Sequence, residues 1–170
     1  NYGQRTINQE RKCSKKCAKQ LKAEFVEINL KELKKISPSF LNKKIKTKKL
    51  TRKDLKNTKE ESKKWYVPFR NGIFLSYAIA IAESYFIRSK KKFDIFVGFK
   101  NDGKEPYLDA TNEFVKKINS LQKIKVIAPL IKKDKEDIVK LGIKLKVNLK
   151  ETHSCYTSNK KHCGTCLACR

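Results

Sequence analysis

Four cysteines crowd the last sixteen positions of this 170-residue chain: Cys155, then Cys163, Cys166 and Cys169. Cys163-Gly164-Thr165-Cys166 and Cys166-Leu167-Ala168-Cys169 are overlapping C-x-x-C steps, a spacing that lets thiolates converge on one tetrahedral ion. Gly164 permits the tight turn in which backbone N–H groups approach the sulfurs. Cys155 supplies the fourth ligand across a short loop. Four thiolates leave no open position for water, so a zinc ion held this way is structural and not hydrolytic. An iron–sulfur cluster is the rival occupant, because it also takes four cysteines. His153 and His162 flank the motif and can each replace a thiol, although four cysteines suffice.

The remaining cysteines, Cys13 and Cys17, stand four apart on an expected helix and read as buried small hydrophobes. Clustered cysteines, together with polar first residues that lack a secretory apolar stretch, point to the cytoplasm. No apolar run approaches the roughly 18 residues that span a bilayer, so no membrane partner is expected. Because the first residue is Asn1 and not Met, removal of an upstream segment is an open expectation.

Lys and Arg number 42 against 17 Asp and Glu, a formal charge of +25. Such a field attracts polyanions whatever their sequence. The lysines are spread along the chain, however, and Lys, Asn and Ile are abundant while Gly, Ala and Pro are scarce. AT-rich coding sequence produces that bias. No motif of the common nucleic-acid folds accompanies it, and no direct nucleic-acid partner is expected. A basic RNA-binding protein stands as the least favoured reading.

Apolar periodicity predicts helices over residues 4–22, 71–88, 112–121 and 134–145, with Asp134 as an N-cap. The helix over 71–88 is apolar around much of its girth and is expected to be well buried. Short apolar runs at 25–30, 93–99 and 124–128 read as strands. Residues 31–64 read as an exposed Lys-rich loop with short helical pieces, Phe40 and Leu41 packing back. The alternation predicts an α/β domain with a parallel sheet.

Three places offer chemistry. Arg70 and Asn71, after Pro68, head the apolar helix, where an anion or a polar ring edge is bound well. Beyond Gly98, the end of a strand, the segment 100–109 lines a site in an open sheet. Its Asp102, Glu105 and Asp109 offer carboxylates to an amino-pyrimidine or a metal. Pro129-Leu130, Lys135, Ile138 and Leu141-Gly142 form P-L-x4-K-x2-I-x2-L-G, which puts Lys135 on a first helical turn to meet a phosphate or carboxylate.

In this order the elements resemble the 7-cyano-7-deazaguanine synthase family of queuosine precursor synthesis, within the PP-loop ATP pyrophosphatases. Tyr2-Gly3-Gln4-Arg5 is similar to D-Y-G-Q-R-H, with Asn1 for Asp and Thr6 for His. Val67-Pro68-Phe69-Arg70-Asn71 with Phe74-Leu75-Ser76 is similar to V-P-x-R-N-x-x-F-L-S. Tyr107-Leu108-Asp109 and Glu113-Phe114 follow the outline of Y-P-D-C-R-P-E-F, with Leu108, Ala110 and Thr111 replacing its Pro, Cys and Arg. Thr152, Ser154-Cys155-Tyr156 and the C-G-x-C-x-x-C end resemble the family's zinc segment.

The resemblance implies a PP-loop, adenine nucleotide alpha hydrolase-like α/β domain over residues 1–150, partial at its N-terminal side, and a zinc-binding segment over 151–170. It also implies ATP-dependent conversion of 7-carboxy-7-deazaguanine and ammonia to the nitrile, with Mg2+ accompanying ATP and with a homodimer as the assembly. Arg70, Asn71, Asp109 and Lys135 become the substrate-side candidates, Cys155, Cys163, Cys166 and Cys169 the zinc ligands, and no general base is assigned. The family's S-G-G-x-D-S phosphate loop belongs upstream of Tyr2. Without it, the second reading is an inactive remnant or a zinc-stabilised binding module.

Overall fold

The computed structural model describes residues 1–100, 107–158 and 160–170. The chain divides into two compact units, one formed by Asn1–Pro68 with Asn148–Arg170, the other by Phe69–Val147.

The first unit contains α1 (Ile7–Gln20), α2 (Leu33–Ile36) and α3 (Lys59–Trp65), with single 3-10 turns at Lys53–Lys56 and Leu149–Glu151. Its core is Tyr2, Leu41, Trp65 and Val67, against which Leu33, Phe40, Tyr156 and Leu167 pack. The aromatic contacts are close: Trp65 lies 5.7 Å from Phe40 edge-on and 5.0 Å from Tyr156. Phe40 and Leu41 thus pack back as expected. The indole N–H of Trp65 donates to Glu61 at 3.0 Å, so the buried ring leaves no unpaired donor. Helix α1 buries no residue, however. Cys13 is half-buried and Cys17 exposed, which corrects their expected burial. With Lys or Arg at most neighbouring positions, this helix has too narrow an apolar stripe to sink into a core.

The second unit contains α4 (Arg70–Ser89), β1 (Ile95–Phe96), α5 (Asn112–Leu121), β2 (Val126–Ile127) and α6 (Lys135–Lys144), plus a 3-10 turn at Leu108–Ala110. Leu75, Val115 and Val126 form its core, with Ile79, Ile95 and Ile118 among the residues packed against them. Two of the helices start on side-chain caps. Thr111 accepts the Phe114 N–H at 3.1 Å, and Asp134 and Asp137 form a reciprocal capping box, as Asp134 predicts.

The expected α/β domain with a parallel nucleotide-binding sheet is not what forms. Among the described residues there is one sheet of two strands, β1 and β2, parallel, with Ile95 facing Val126 and Phe96 facing Ile127. One edge of this sheet is closed to a further strand. On β2, the Val126 N–H donates to Asn119 Oδ1 at 2.8 Å, and Asn119 Nδ2 donates to the Val126 carbonyl at 2.9 Å. A side-chain amide from α5 occupies the rung where a third strand would pair. The run at 25–30 forms no strand either. Leu30 donates to the Asn1 carbonyl at 2.7 Å, and Glu27 is taken by Arg11. Nor is α4 well buried: Asn71, Gly72, Leu75 and Ala82 are buried, while Tyr77, Ile81 and Tyr85 are exposed.

Asn119 satisfies both backbone groups of a residue that is only 2% exposed. Asn119→Ala is therefore expected to cost about 1–2 kcal/mol, read as a lower urea midpoint at unchanged slope.

Candidate functional site

In the first unit, the sulfurs of Cys155, Cys163, Cys166 and Cys169 all lie within 4.8 Å of one another. Zinc–sulfur bonds of about 2.3 Å in a tetrahedron put sulfurs about 3.8 Å apart. Cys163 Sγ and Cys169 Sγ stand 3.9 Å apart, far beyond a disulfide bond, and all four thiols are free. Cys155 and Cys166 are buried. The donor set and its spacing fit a tetrahedral metal ion with four thiolate ligands.

The turn at Cys163 works as its glycine predicts. Gly164 takes φ +68°, a conformation that disfavours a side chain even though space is open around it. That turn points the N–H groups of Thr165 and Cys166 at Cys163 Sγ, 3.4 and 3.2 Å away. Ser158 N–H likewise donates to Cys155 Sγ at 3.4 Å. Burial raises the thiols, pushing Cys169 up to about 12. At Cys163 burial also raises, but donors from Thr157, Thr165 and the Cys166 N–H outweigh it and hold that thiol down to about 5. Charge is shared unevenly among crowded sulfurs, and a divalent cation removes the repulsion that keeps them from all ionising. The hydroxyls of Thr157 and Thr165 were not legible as sulfur donors, since only the folded turn brings them to Cys155 and Cys163.

In the second unit, the structure brings together three of the four substrate-side candidates. Phe69, before α4, takes φ +50° and offers no side-chain cap. The cap comes from 38 residues away: Asp109 Oδ2 accepts the Asn71 N–H at 2.9 Å. Asp109 is 3% exposed, and its other oxygen, Oδ1, is buried with no hydrogen-bond partner among the described residues. Arg70 donates to Asn71 Oδ1 through Nε at 3.3 Å and Nη2 at 3.1 Å, and its guanidinium lies over the Phe74 ring. Gly72 makes room for the Phe69 ring, since a Cβ there would come within 2.4 Å of it. A cation, an amide and a buried carboxylate thus share the head of α4, where the positive end of the helix dipole favours the carboxylate.

Lys135 stands exposed on the first turn of α6. Asp102 and Glu105 lie outside the described residues. No helix among the described residues is long and apolar enough to cross a membrane.

The family model described as "Queuosine biosynthesis protein QueC" matches residues 1–170. A 7-cyano-7-deazaguanine synthase from a Nitratiruptor species is 38% identical over 100% of this chain and 76% of its own length. One of Methanobrevibacter smithii is 33% identical over 99% of this chain and 76% of its own, and one of Methanococcus maripaludis 36% identical over 99% and 77%. No solved structure gives a significant match.

Proposed function

This chain belongs to the queuosine biosynthesis protein QueC family, and from that premise we propose that it serves an ATP-dependent ligase turning 7-carboxy-7-deazaguanine and ammonia into the 7-cyano product. The family match across all 170 residues carries the reading. A carboxylate has no leaving group, so its oxygen must first be adenylated, with pyrophosphate released. Ammonia then displaces AMP to give the amide. A second adenylation, at the amide oxygen, followed by loss of AMP and a proton, gives the nitrile. Each carboxylate oxygen therefore departs in a molecule of AMP.

Arg70, fixed on Asn71 and over Phe74, suits the substrate carboxylate. Asp109 Oδ1 suits an N–H of the amino-pyrimidine edge, and Lys135 a phosphate. ATP and Mg2+ are taken as co-substrates on the strength of the family. The four cysteines would hold zinc, which supplies structural cross-linking of residues 151–170 and no open coordination position. A cytoplasmic homodimer completes the reading.

The test uses the full-length gene product with ATP, ammonia and substrate carrying 18O in its carboxylate. Two AMP per nitrile are expected, with label in the AMP. No nitrile and no AMP would sink the proposal.

A further inference from the structure

The sequence leaves His153 and His162 beside the cysteine cluster as replacement ligands. The structure gives one of them a different task. The Ser154 N–H donates to His162 Nε2 at 3.2 Å. Ser154 immediately precedes Cys155, and His162 immediately precedes Cys163. The bond therefore joins the two chain ends from which the first two sulfurs project. The His162 ring also rests against the His153 ring, with centroids 5.1 Å apart and planes inclined at 43°. The His153 Nε2 is itself buried without a hydrogen-bond partner among the described residues.

We propose that His162 is a positioning residue of the metal centre, closing the loop between Cys155 and Cys163 at its base by accepting the Ser154 N–H. This rests on the metal reading of the four cysteines. An imidazole nitrogen that accepts a backbone N–H spends its lone pair there and cannot give it to a metal. His162 Nε2 is thus excluded as a ligand in this arrangement. What the bond supplies is preorganisation. With both arms tied, a sulfur that left a bound ion would be held close to it. The bond is exposed to solvent, so its contribution is that of one ordinary hydrogen bond.

The test compares the wild-type chain with His162→Ala and His162→Gln, each loaded with zinc and mixed with an excess of a chromophoric chelator. His162→Ala is expected to release zinc about three- to tenfold faster. His162→Gln, whose side-chain carbonyl can accept the same N–H, is expected to recover most of that loss. Loading with cobalt(II) gives a readout that loosening of the fold alone would not move. The thiolate-to-cobalt charge-transfer bands should be the same in all three proteins, because the four sulfurs remain bound. Equal release from His162→Ala and wild type overturns this proposal alone. A cobalt spectrum that changes as if a nitrogen donor were lost makes His162 a ligand and overturns it too. A wild-type chain that retains no metal overturns the metal reading and this proposal together.

Discussion

Stripping the metal from this chain is expected to unfold the unit formed by residues 1–68 and 148–170, and Trp65 will report it. Structural zinc sites of four ligands contribute about 10–16 kcal/mol of apparent binding energy in small peptides, as much as the whole stability of many domains. Two of the four cysteines adjoin the core directly. Tyr156 follows Cys155 and Leu167 follows Cys166, and both pack on the cluster around Trp65. Without an ion, Cys155 and Cys166 remain buried among neighbouring sulfurs with hydrogen bonds but no opposite charge to balance them. The segment then has little reason to stay docked. Trp65 is the single tryptophan and is 3% exposed, so its emission reads this core alone. A strong chelator should shift it to the red, and added zinc should shift it back. Cys166→Ser should do the same without chelator, since it removes a buried ligand. Elemental analysis should give one zinc per chain. An unshifted emission maximum after demonstrated loss of metal would show that packing alone holds this unit, and iron in place of zinc would revise the ion.

The four-cysteine cluster was readable because its members are local: the spacing of Cys163, Cys166 and Cys169 and the glycine between them are stated by adjacent residues. The helices at 112–121 and after Asp134 were readable for the same reason, each carrying its own cap. The sheet was not. The apolar runs at 93–99 and 124–128 report which faces seek burial, but not which partner completes their hydrogen bonds. At Val126 that partner is the side chain of Asn119, which looks from sequence like any polar residue near a helix end. The same limit applies to α4. Its aromatic residues recur at helical spacing, yet Tyr77 and Tyr85 are nearly half exposed, since periodicity fixes a face and does not provide a surface to cover it. Asp109 was found as a carboxylate of interest, but its work as a cap for a helix that starts 39 residues earlier was invisible. Local signals at Phe69 give no cap at all.

That double engagement of Asp109 gives the second expectation. One oxygen holds the head of α4, and the other is buried and uncommitted among the described residues. Native structures rarely leave such an oxygen idle, because an unpaired buried acceptor costs about 1–3 kcal/mol. A ligand that brings an N–H to it would recover that cost on binding. Two substitutions separate the roles. Asp109→Ala removes the cap and the acceptor together and should destabilise the second unit by about 2–3 kcal/mol, with activity of the full-length enzyme lost as well. Asp109→Asn keeps a carbonyl oxygen for the Asn71 N–H, so stability should stay within about 1 kcal/mol of wild type. It replaces Oδ1 by an NH2 group, however, which points a donor at the substrate's donor. A donor facing a donor both loses the bond and adds repulsion, so kcat/KM should fall by about 10²-fold or more while the urea midpoint hardly moves. An Asn variant that turns over like wild type would make Asp109 a helix cap and nothing else. An Asn variant as unstable as Ala would mean that the charge, and not the hydrogen bond, holds the start of α4.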